Sequence, residues 1–136
     1  HPSPSTEDDY CGEAVPSYTF GPSAPLAADC AALYQANPGP GYWLVPAAET
    51  NAKDATSDRW TRLAVSGTCA FEVRLSRDNK EGVVDYRFGT NDVRFYIRAH
   101  ASEGNAEEGR VAVRSGVWCR RVEGTQARVD WRVVLA

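Results

Sequence analysis

The sequence predicts an α+β fold: an antiparallel sheet of about five to six strands with two helices packed on one face and two disulfides. Apolar and polar residues alternate along several short segments, which is typical of strands with one buried face. In two other segments, residues that favour the start of a helix are followed by apolar residues at helical spacing. Hydrophobic residues make up 43% of the chain, which is the composition of an ordinary folded domain.

The length and charge limit the classes of protein that fit. The 136 residues suffice for one domain with its own core. Residues 1–10 are rich in proline, serine and acid, so we expect a flexible acidic N-terminal arm and then a single disulfide-stapled domain over residues 11–136. A net charge of −3 disfavours a nonspecific nucleic-acid binder. No apolar run approaches the length of a membrane span.

The first helix is predicted to begin after Ser23, a favourable N-cap residue, with Pro25 in its first turn. It should end at the proline- and glycine-rich segment 37–41. The apolar residues at helical spacing are Leu26, Cys30, Leu33 and Tyr34. This spacing directs Cys30 to the core.

A second helix is predicted after Gly89. Thr90 is expected to cap it, and Asp92 suits the positive N-terminal end of a helix. The residues expected on its buried face are Val93, Tyr96, Ile97 and His100 or Ala101.

Six strands account for most of the remaining sequence. The predicted segments are 42–45, 59–66, 68–75, 83–88, 110–119 and 128–135, with a polar loop at 46–58 and turns at 78–82 and 123–126. Hairpins are expected to join 68–75 to 83–88 and 110–119 to 128–135. The residues expected to face the core from the two most regular segments are Cys69, Phe71, Val73, Leu75, Val129, Trp131, Val133 and Leu135.

The four cysteines, Cys11, Cys30, Cys69 and Cys119, predict disulfides rather than a metal site. Structural zinc sites use short paired spacings that are absent here, so no metal and no cofactor is expected. The sequence begins at His1 and contains no methionine, from which we expect that a secretory signal has been removed. Disulfides in an oxidising compartment then indicate a secreted, extracellular protein.

Four cysteines permit three pairings, and the sequence alone does not choose among them. The predicted faces favour one pairing. Cys30 lies on the apolar face of the first helix and Cys69 on the inward face of a strand, so a bridge between them would join helix to sheet. Cys11 and Cys119 would then tie the N-terminal segment to the closing hairpin.

Three segments give the chain its resemblance to a known family. They are Cys11-Gly12 followed by Phe20, the stretch Pro-Leu-Ala-Ala-Asp-Cys ending at Cys30, and Gly-Thr-Cys-Ala-Phe around Cys69. In these segments the chain resembles the secreted fungal effectors classed as necrosis-inducing factors, homologues of an extracellular effector of a leaf-mould pathogen. The likeness spans about residues 11–135, and Glu72 stands where the family usually has glycine.

The resemblance implies a virulence or avirulence effector that acts in the plant apoplast and in some cases induces cell death. Some members resemble killer toxins in fold. The family offers no established catalytic residues, so the expectation is a non-enzymatic protein that binds a host component, with a host protein or receptor as its partner and a monomeric state. The alternatives are a killer-toxin-like antimicrobial protein, active against competing microbes, and a secreted ribonuclease.

The sequence offers candidate residues for two kinds of catalysis. A ribonuclease needs an acid and a base close together, for which His100, Glu72 and Arg74 are the candidates. A glycosidase needs two carboxylates at a defined separation, for which Glu72, Asp85 and Asp130 are the candidates. Cross-strand pairing of these carboxylates with arginines is the simpler interpretation.

An arginine-rich surface is the strongest candidate for binding. Arginines at predicted outward strand positions are Arg74, Arg110, Arg114, Arg128 and Arg132. If their strands are neighbours, the sheet presents these guanidinium groups to an anionic partner, such as a cell-wall or membrane component or an acidic host protein. The alternative is a solvated face balanced by interleaved acids.

Aromatic residues offer a second, weaker candidate. Tyr42, Trp43, Trp60 and Trp118 could together form a platform for stacking sugars, although core or strand positions are the simpler interpretation. Trp118 is the best candidate for exposure, because its neighbour Cys119 is expected to face inward.

Overall fold

The computed structural model describes residues 2–35, 39–46, 60–76, 85–120, 122 and 126–136. Two α-helices lie in these ranges, α1 (Ala27–Gln35) and α2 (Thr90–His100), with a short 3-10 helix at Glu103–Asn105. Eight strands lie in the same ranges: β1 (Ser3–Pro4), β2 (Ser17–Thr19), β3 (Gly41–Val45), β4 (Thr61–Ser66), β5 (Cys69–Leu75), β6 (Tyr86–Gly89), β7 (Ala112–Arg120) and β8 (Gln126–Leu135). The predicted α+β class is confirmed.

The strands form two antiparallel sheets instead of the single predicted sheet. A five-stranded sheet has the order β2-β7-β8-β5-β4, and a three-stranded sheet has the order β1-β3-β6. The hairpin predicted between 68–75 and 83–88 was therefore wrong. Both edges of β5 are occupied, by β4 and β8, so β6 pairs with β3 instead, from Tyr42 opposite Gly89 to Val45 opposite Tyr86.

The core lies between the five-stranded sheet and the layer formed by the two helices and the smaller sheet. Trp131 of β8 is fully buried and stacks on Phe71 of β5 and on Tyr96 of α2, with ring centroids 5.6 and 4.8 Å apart. Phe88 of β6 joins the cluster 5.6 Å from Phe71. The residues predicted to face the core from β5 and β8 are buried except Leu135, which ends its strand and is 42% exposed. Ala70 and Glu72, predicted on the opposite face of β5, are buried as well.

The first helix begins at Ala27, a few residues later than predicted, because Leu26 is used elsewhere. Leu26 forms a β-bridge with Arg110, and its backbone N–H donates to Thr68 Oγ1 at 2.9 Å. Ala27, Cys30 and Leu33 face the core. The side chain of Tyr34 and residues 36–38 lie outside the described residues. The same holds for the predicted turn at 78–82, for residues 47–58 of the predicted loop at 46–58 and for residues 123–125 of the predicted turn at 123–126.

The second helix begins where predicted, after Gly89, and has the predicted buried face, but Thr90 does not cap it. Gly89 is the N-cap residue. The Thr90 hydroxyl accepts the Gly41 N–H at 3.0 Å and donates to the Gly41 carbonyl at 3.2 Å. It thereby joins the helix to β3.

Both predicted disulfides are present, Cys11–Cys119 and Cys30–Cys69. The first ties the N-terminal segment to β7, and the second ties α1 to β5. The two bridges enclose chain segments of 108 and 39 residues.

The N-terminal segment makes backbone contacts that the prediction of a flexible arm did not include. Ser3 and Pro4 pair with β3, and the Asn91 N–H donates to the Asp8 carbonyl at 2.9 Å. Tyr10 is buried, with its N–H 2.8 Å from an Asp92 carboxylate oxygen. The flexibility of residues 1–10 in solution stays a prediction.

Candidate binding face

The outer side of the five-stranded sheet, away from the helices, gathers the arginines of four strands. Antiparallel register places outward residues of β4, β5, β8 and β7 in rows across the sheet. We call this surface the arginine face. Its residues are Trp60, Arg62, Glu72, Arg74, Arg114, Gly116, Trp118, Arg128, Asp130 and Arg132.

One row is centred on a buried carboxylate. Glu72 is only 5% exposed and lies between Arg62 and Arg132 in the register of the strands. Arg62 Nε is 2.9 Å from Glu72 Oε2, and Arg132 Nη2 is 2.7 Å from Oε1. Because one carboxylate serves two guanidinium groups, the row keeps a positive charge.

Arg114 continues this row on β7 and lies directly opposite Arg132. Its side chain is exposed. Within the part of the chain that the structure describes, the Arg114 guanidinium has no ion-pair, hydrogen-bond or ring partner. Two like charges in directly opposed positions repel each other, so the row ends in a cation that the described residues leave uncompensated.

The second row combines an ion pair with an indole. Arg74 Nε is 3.0 Å from Asp130 Oδ2. The Trp60 ring lies under two guanidinium groups, those of Arg74 and Arg132, at 4.3 and 4.1 Å from the ring centroid. Such cation–aromatic contacts hold the guanidinium planes in fixed orientations.

The third row holds the exposed aromatic residue. Trp118 is 49% exposed, and the Arg128 guanidinium lies 5.6 Å from its ring centroid. Arg128 crosses above Gly116, where an added Cβ would lie 2.9 Å from its Nη2 atom. A side chain at position 116 would therefore displace Arg128 from Trp118.

The charge of the face is opposite in sign to that of the protein. The face holds five arginines against two carboxylates, Glu72 and Asp130, a net charge of +3 among the described residues. The whole chain carries −3. The outer side of the sheet is therefore rich in arginine, as predicted. Acidic residues lie between the arginines, which was the expectation of the alternative interpretation.

Arg110 does not belong to this face, and its predicted position in the strand was wrong. It precedes β7, and its Nη1 atom donates to the Ala24 carbonyl at 2.8 Å, just before α1. Arg62 takes its place in the arginine row. The sequence placed Arg62 in a strand but did not identify the neighbouring strand, which decides whether its side chain reaches Glu72.

The four aromatic residues considered for sugar stacking do not come together. Trp60 and Trp118 are on the arginine face, whereas Tyr42 and Trp43 belong to β3 in the smaller sheet. Tyr42 packs edge-on against Tyr10, and Trp43 packs on the core.

The residues considered for ribonuclease activity are separated by the sheet. His100 stacks on Trp131 on the inner side and its Nδ1 atom is 3.2 Å from the Tyr18 hydroxyl oxygen. Burial lowers the pKa of His100. Glu72 and Arg74 are on the outer side, so the three side chains do not form one site.

Two of the carboxylates considered for glycoside hydrolysis, Glu72 and Asp130, lie in neighbouring rows of one face, but Asp85 does not join them. Glu72 and Asp130 are paired with arginines on the arginine face. Asp85 precedes β6 of the smaller sheet.

Neither a metal site nor a membrane-spanning helix is present in the part of the chain that the structure describes. No group of three or more histidines, cysteines, aspartates or glutamates is placed to hold a metal ion there. No helix in those residues has the length and hydropathy required to cross a membrane.

A comparison with protein families decides the affiliation. The family model Hce2, described as "Pathogen effector; putative necrosis-inducing factor", matches residues 10–119. The chain belongs to this effector family. A comparison with curated proteins finds no match. The matched residues end before β8, so Arg128, Asp130 and Arg132 of this effector lie beyond the matched region.

The segments that carry the resemblance to the effector family meet in the structure. Asp29 Oδ2 accepts the Thr68 N–H at 2.8 Å and the Thr68 hydroxyl at 2.7 Å. These contacts lie beside the Cys30–Cys69 bridge, and they lower the pKa of Asp29. The two segments thus join α1 to the turn before β5, which is a structural role and leaves the arginine face as the candidate site.

Proposed function

We propose that this effector is a secreted fungal protein that acts in the plant apoplast, without catalysis, by binding a host component through the arginine face. Membership of the effector family supplies the general role. The exposed guanidinium of Arg114, which lies opposite Arg132 and has no partner among the residues that the structure describes, is the observation that carries the specific proposal.

The charge distribution supports binding of an anion by this surface. A guanidinium group can donate two parallel hydrogen bonds to one carboxylate or phosphate. Arg62, Arg74 and Arg132 already hold fixed orientations through Glu72, Asp130 and Trp60. A preorganised surface loses less side-chain freedom when a partner binds.

The two disulfides support the extracellular location. Both bridges are closed, and no cysteine is free. Disulfides of this kind persist in oxidising compartments and are rare in the cytosol. The apoplast is such a compartment.

The test is infiltration of the oxidised protein into leaves of several plant genotypes, with ion leakage as the measure of cell death. Arg114→Glu is the informative variant. Its carboxylate would face Arg132 across the strands and pair with it, so the variant should fold while losing the free cation. Arg98→Glu is the matched control, because Arg98 is exposed on α2, on the other side of the molecule.

We expect death in some genotypes with the wild-type protein and with Arg98→Glu. We expect a loss of at least several-fold with Arg114→Glu. An unchanged response to folded Arg114→Glu would refute binding through the arginine face. No response in any genotype, together with growth inhibition of fungal cultures, would replace the proposal by an antimicrobial function.

A further inference from the structure

The arginine face offers two kinds of group that can bind an acidic sugar polymer, namely guanidinium groups and an exposed aromatic ring. We propose that its partner is an acidic polysaccharide whose uronate carboxylates bind at Arg114 and whose sugar ring stacks on Trp118. This inference rests on the proposed function, because it names the chemical class of partner for the same face.

The spacing of the two contacts fits an extended polymer. Arg114 and Trp118 are four residues apart on β7 and point to the same side, which places them ~13 Å apart along the strand. A single small anion at Arg114 does not reach Trp118 over this distance. A chain of linked sugars lying along β7 reaches both.

The aromatic contact favours sugar over an anion alone. The Trp118 ring is 49% exposed and has Arg128 5.6 Å from its centroid. Large aromatic rings combine apolar area with few rotatable bonds, which suits stacking against the apolar face of a sugar. Because the guanidinium of Arg128 lies over one face of the ring, the sugar would stack on the other face.

The composition of the arginine face disfavours two other anionic partners. Three of its five arginines are already paired with Glu72 or Asp130, which leaves few cations for a nucleic acid, whose binding depends on many cation–phosphate contacts. Among the described residues on the outer side of this sheet, the half-exposed apolar side chains include Trp118 and Val65 of β4, which lie in separate rows. A membrane-binding surface generally offers several apolar side chains for insertion beside its cations.

The experiment measures binding of the oxidised, full-length protein to polygalacturonate by calorimetry or by retardation in an affinity gel. The fully methyl-esterified polymer is the matched ligand control, since it keeps the sugar backbone and removes the charge. RNA oligonucleotides and vesicles with anionic headgroups are tested in parallel. Binding is measured at low and high salt, because screening weakens contacts between exposed charges.

Two pairs of variants separate the two contacts. Arg114→Glu is compared with Arg98→Glu, which makes the same charge change elsewhere. Trp118→Ala is compared with Phe95→Ala, which removes a 55% exposed aromatic ring from α2. We expect Arg114→Glu and Trp118→Ala each to lower the affinity for polygalacturonate about tenfold or more, which corresponds to about 1.4 kcal/mol. The two controls should bind like the wild-type protein.

Equal binding of the esterified polymer, or unchanged affinity in Arg114→Glu, would overturn the inference. Binding of RNA or vesicles in preference to polygalacturonate would overturn it as well. These failures differ from failure of the proposed function. If Arg114→Glu loses the leaf response but the wild-type protein does not bind polygalacturonate, the face is functional and its partner is of another class. If Arg114→Glu loses polygalacturonate binding and keeps the leaf response, the inference holds and the proposed function fails.

Discussion

Single residues decide how much charge the arginine face presents, and Glu72 is the most important of them. Its carboxylate is nearly buried and accepts from two arginines. Removal of its charge should therefore have two opposite effects. The fold loses the group that holds Arg62 and Arg132 together, while the face gains one unit of positive charge.

For Glu72→Gln we expect the free energy of unfolding to fall by about 1–2 kcal/mol, because both arginines lose a charged partner and one is half-exposed. We expect the affinity for an acidic polymer to rise in the same variant. Urea unfolding and calorimetry measure the two effects. Asp130→Asn removes the charge from the carboxylate that pairs with Arg74, which is more exposed than Glu72. This substitution should therefore change the free energy of unfolding less. A variant as stable as the wild-type protein would contradict the role given to Glu72.

Gly67 is the residue at which the effector-family segments meet most closely. Its φ of +56° is in the left-handed region, and a Cβ there would lie 2.6 Å from the Asp29 carboxyl carbon. Gly67→Ala should lower the free energy of unfolding by about 2 kcal/mol, from backbone strain and from displacement of Asp29 away from Thr68. Thermal unfolding tests this. The control is Gly104→Ala, where the nearest atom is 3.8 Å away, and equal effects of the two substitutions would refute the argument.

Among the elements, the N-terminal segment is held to α2 by one buried carboxylate. Asp92 accepts the backbone N–H groups of Tyr10, Cys11 and Gly89 at 2.8, 3.2 and 2.8 Å. Burial raises the pKa of Asp92 to about 7. The three N–H donors lower this pKa, and a hydrogen bond to Asp9 raises it further. The folded protein therefore holds a proton here at pH values where the unfolded chain has released it.

This raised pKa fixes the sign of a pH effect on stability. The contribution of Asp92 is fully present below about pH 4 and is lost as the pH rises through about 7, with a slope of at most about 1.4 kcal/mol per pH unit. The lowered pKa of His100 makes the protein more stable as the pH rises, but this effect is the same in the wild-type protein and in Asp92→Asn. Urea unfolding between pH 4 and 8 should show a smaller decrease for Asp92→Asn than for the wild-type protein. Parallel pH profiles would contradict the assignment.

The sequence predicted most helices and strands, but it did not predict that the strands divide into two sheets. Periodicity predicted the helices and most strands, because the alternation of buried and exposed residues is local. It did not predict that β6 pairs with β3, since the pairing depends on which edges of β5 are already occupied. It also did not place β1, whose Ser-Pro sequence has no alternating pattern.

The candidate site was predictable only in part for the same reason. Arg74, Arg114, Arg128 and Arg132 were found because each alternates with apolar residues along its own strand. The burial of Glu72, the stacking of two guanidinium groups on Trp60 and the freedom of Arg114 all depend on register between strands. Arg110 was misplaced because its strand begins after it.

At the scale of the whole molecule, the two disulfides connect its layers. In the chain-entropy description, bridges that enclose 39 and 108 residues stabilise the fold by about 4 and about 5 kcal/mol, as upper values that do not add fully. Such values approach the whole stability of an ordinary domain. Reduction and alkylation should therefore unfold the protein, seen as loss of near-ultraviolet circular dichroism. A native spectrum after complete alkylation would contradict this prediction.

The most direct test of the central claim, that this effector acts through the arginine face, compares Arg114→Glu with Arg114→Lys in a responsive leaf. Lysine keeps the positive charge of Arg114 but cannot donate two parallel hydrogen bonds as a guanidinium does, and glutamate reverses the charge. With ion leakage measured against protein concentration, we predict the order wild type, then Arg114→Lys, then Arg114→Glu, with the last at least several-fold less active. Coincident dose–response curves for the three folded proteins would show that the effector acts through another surface.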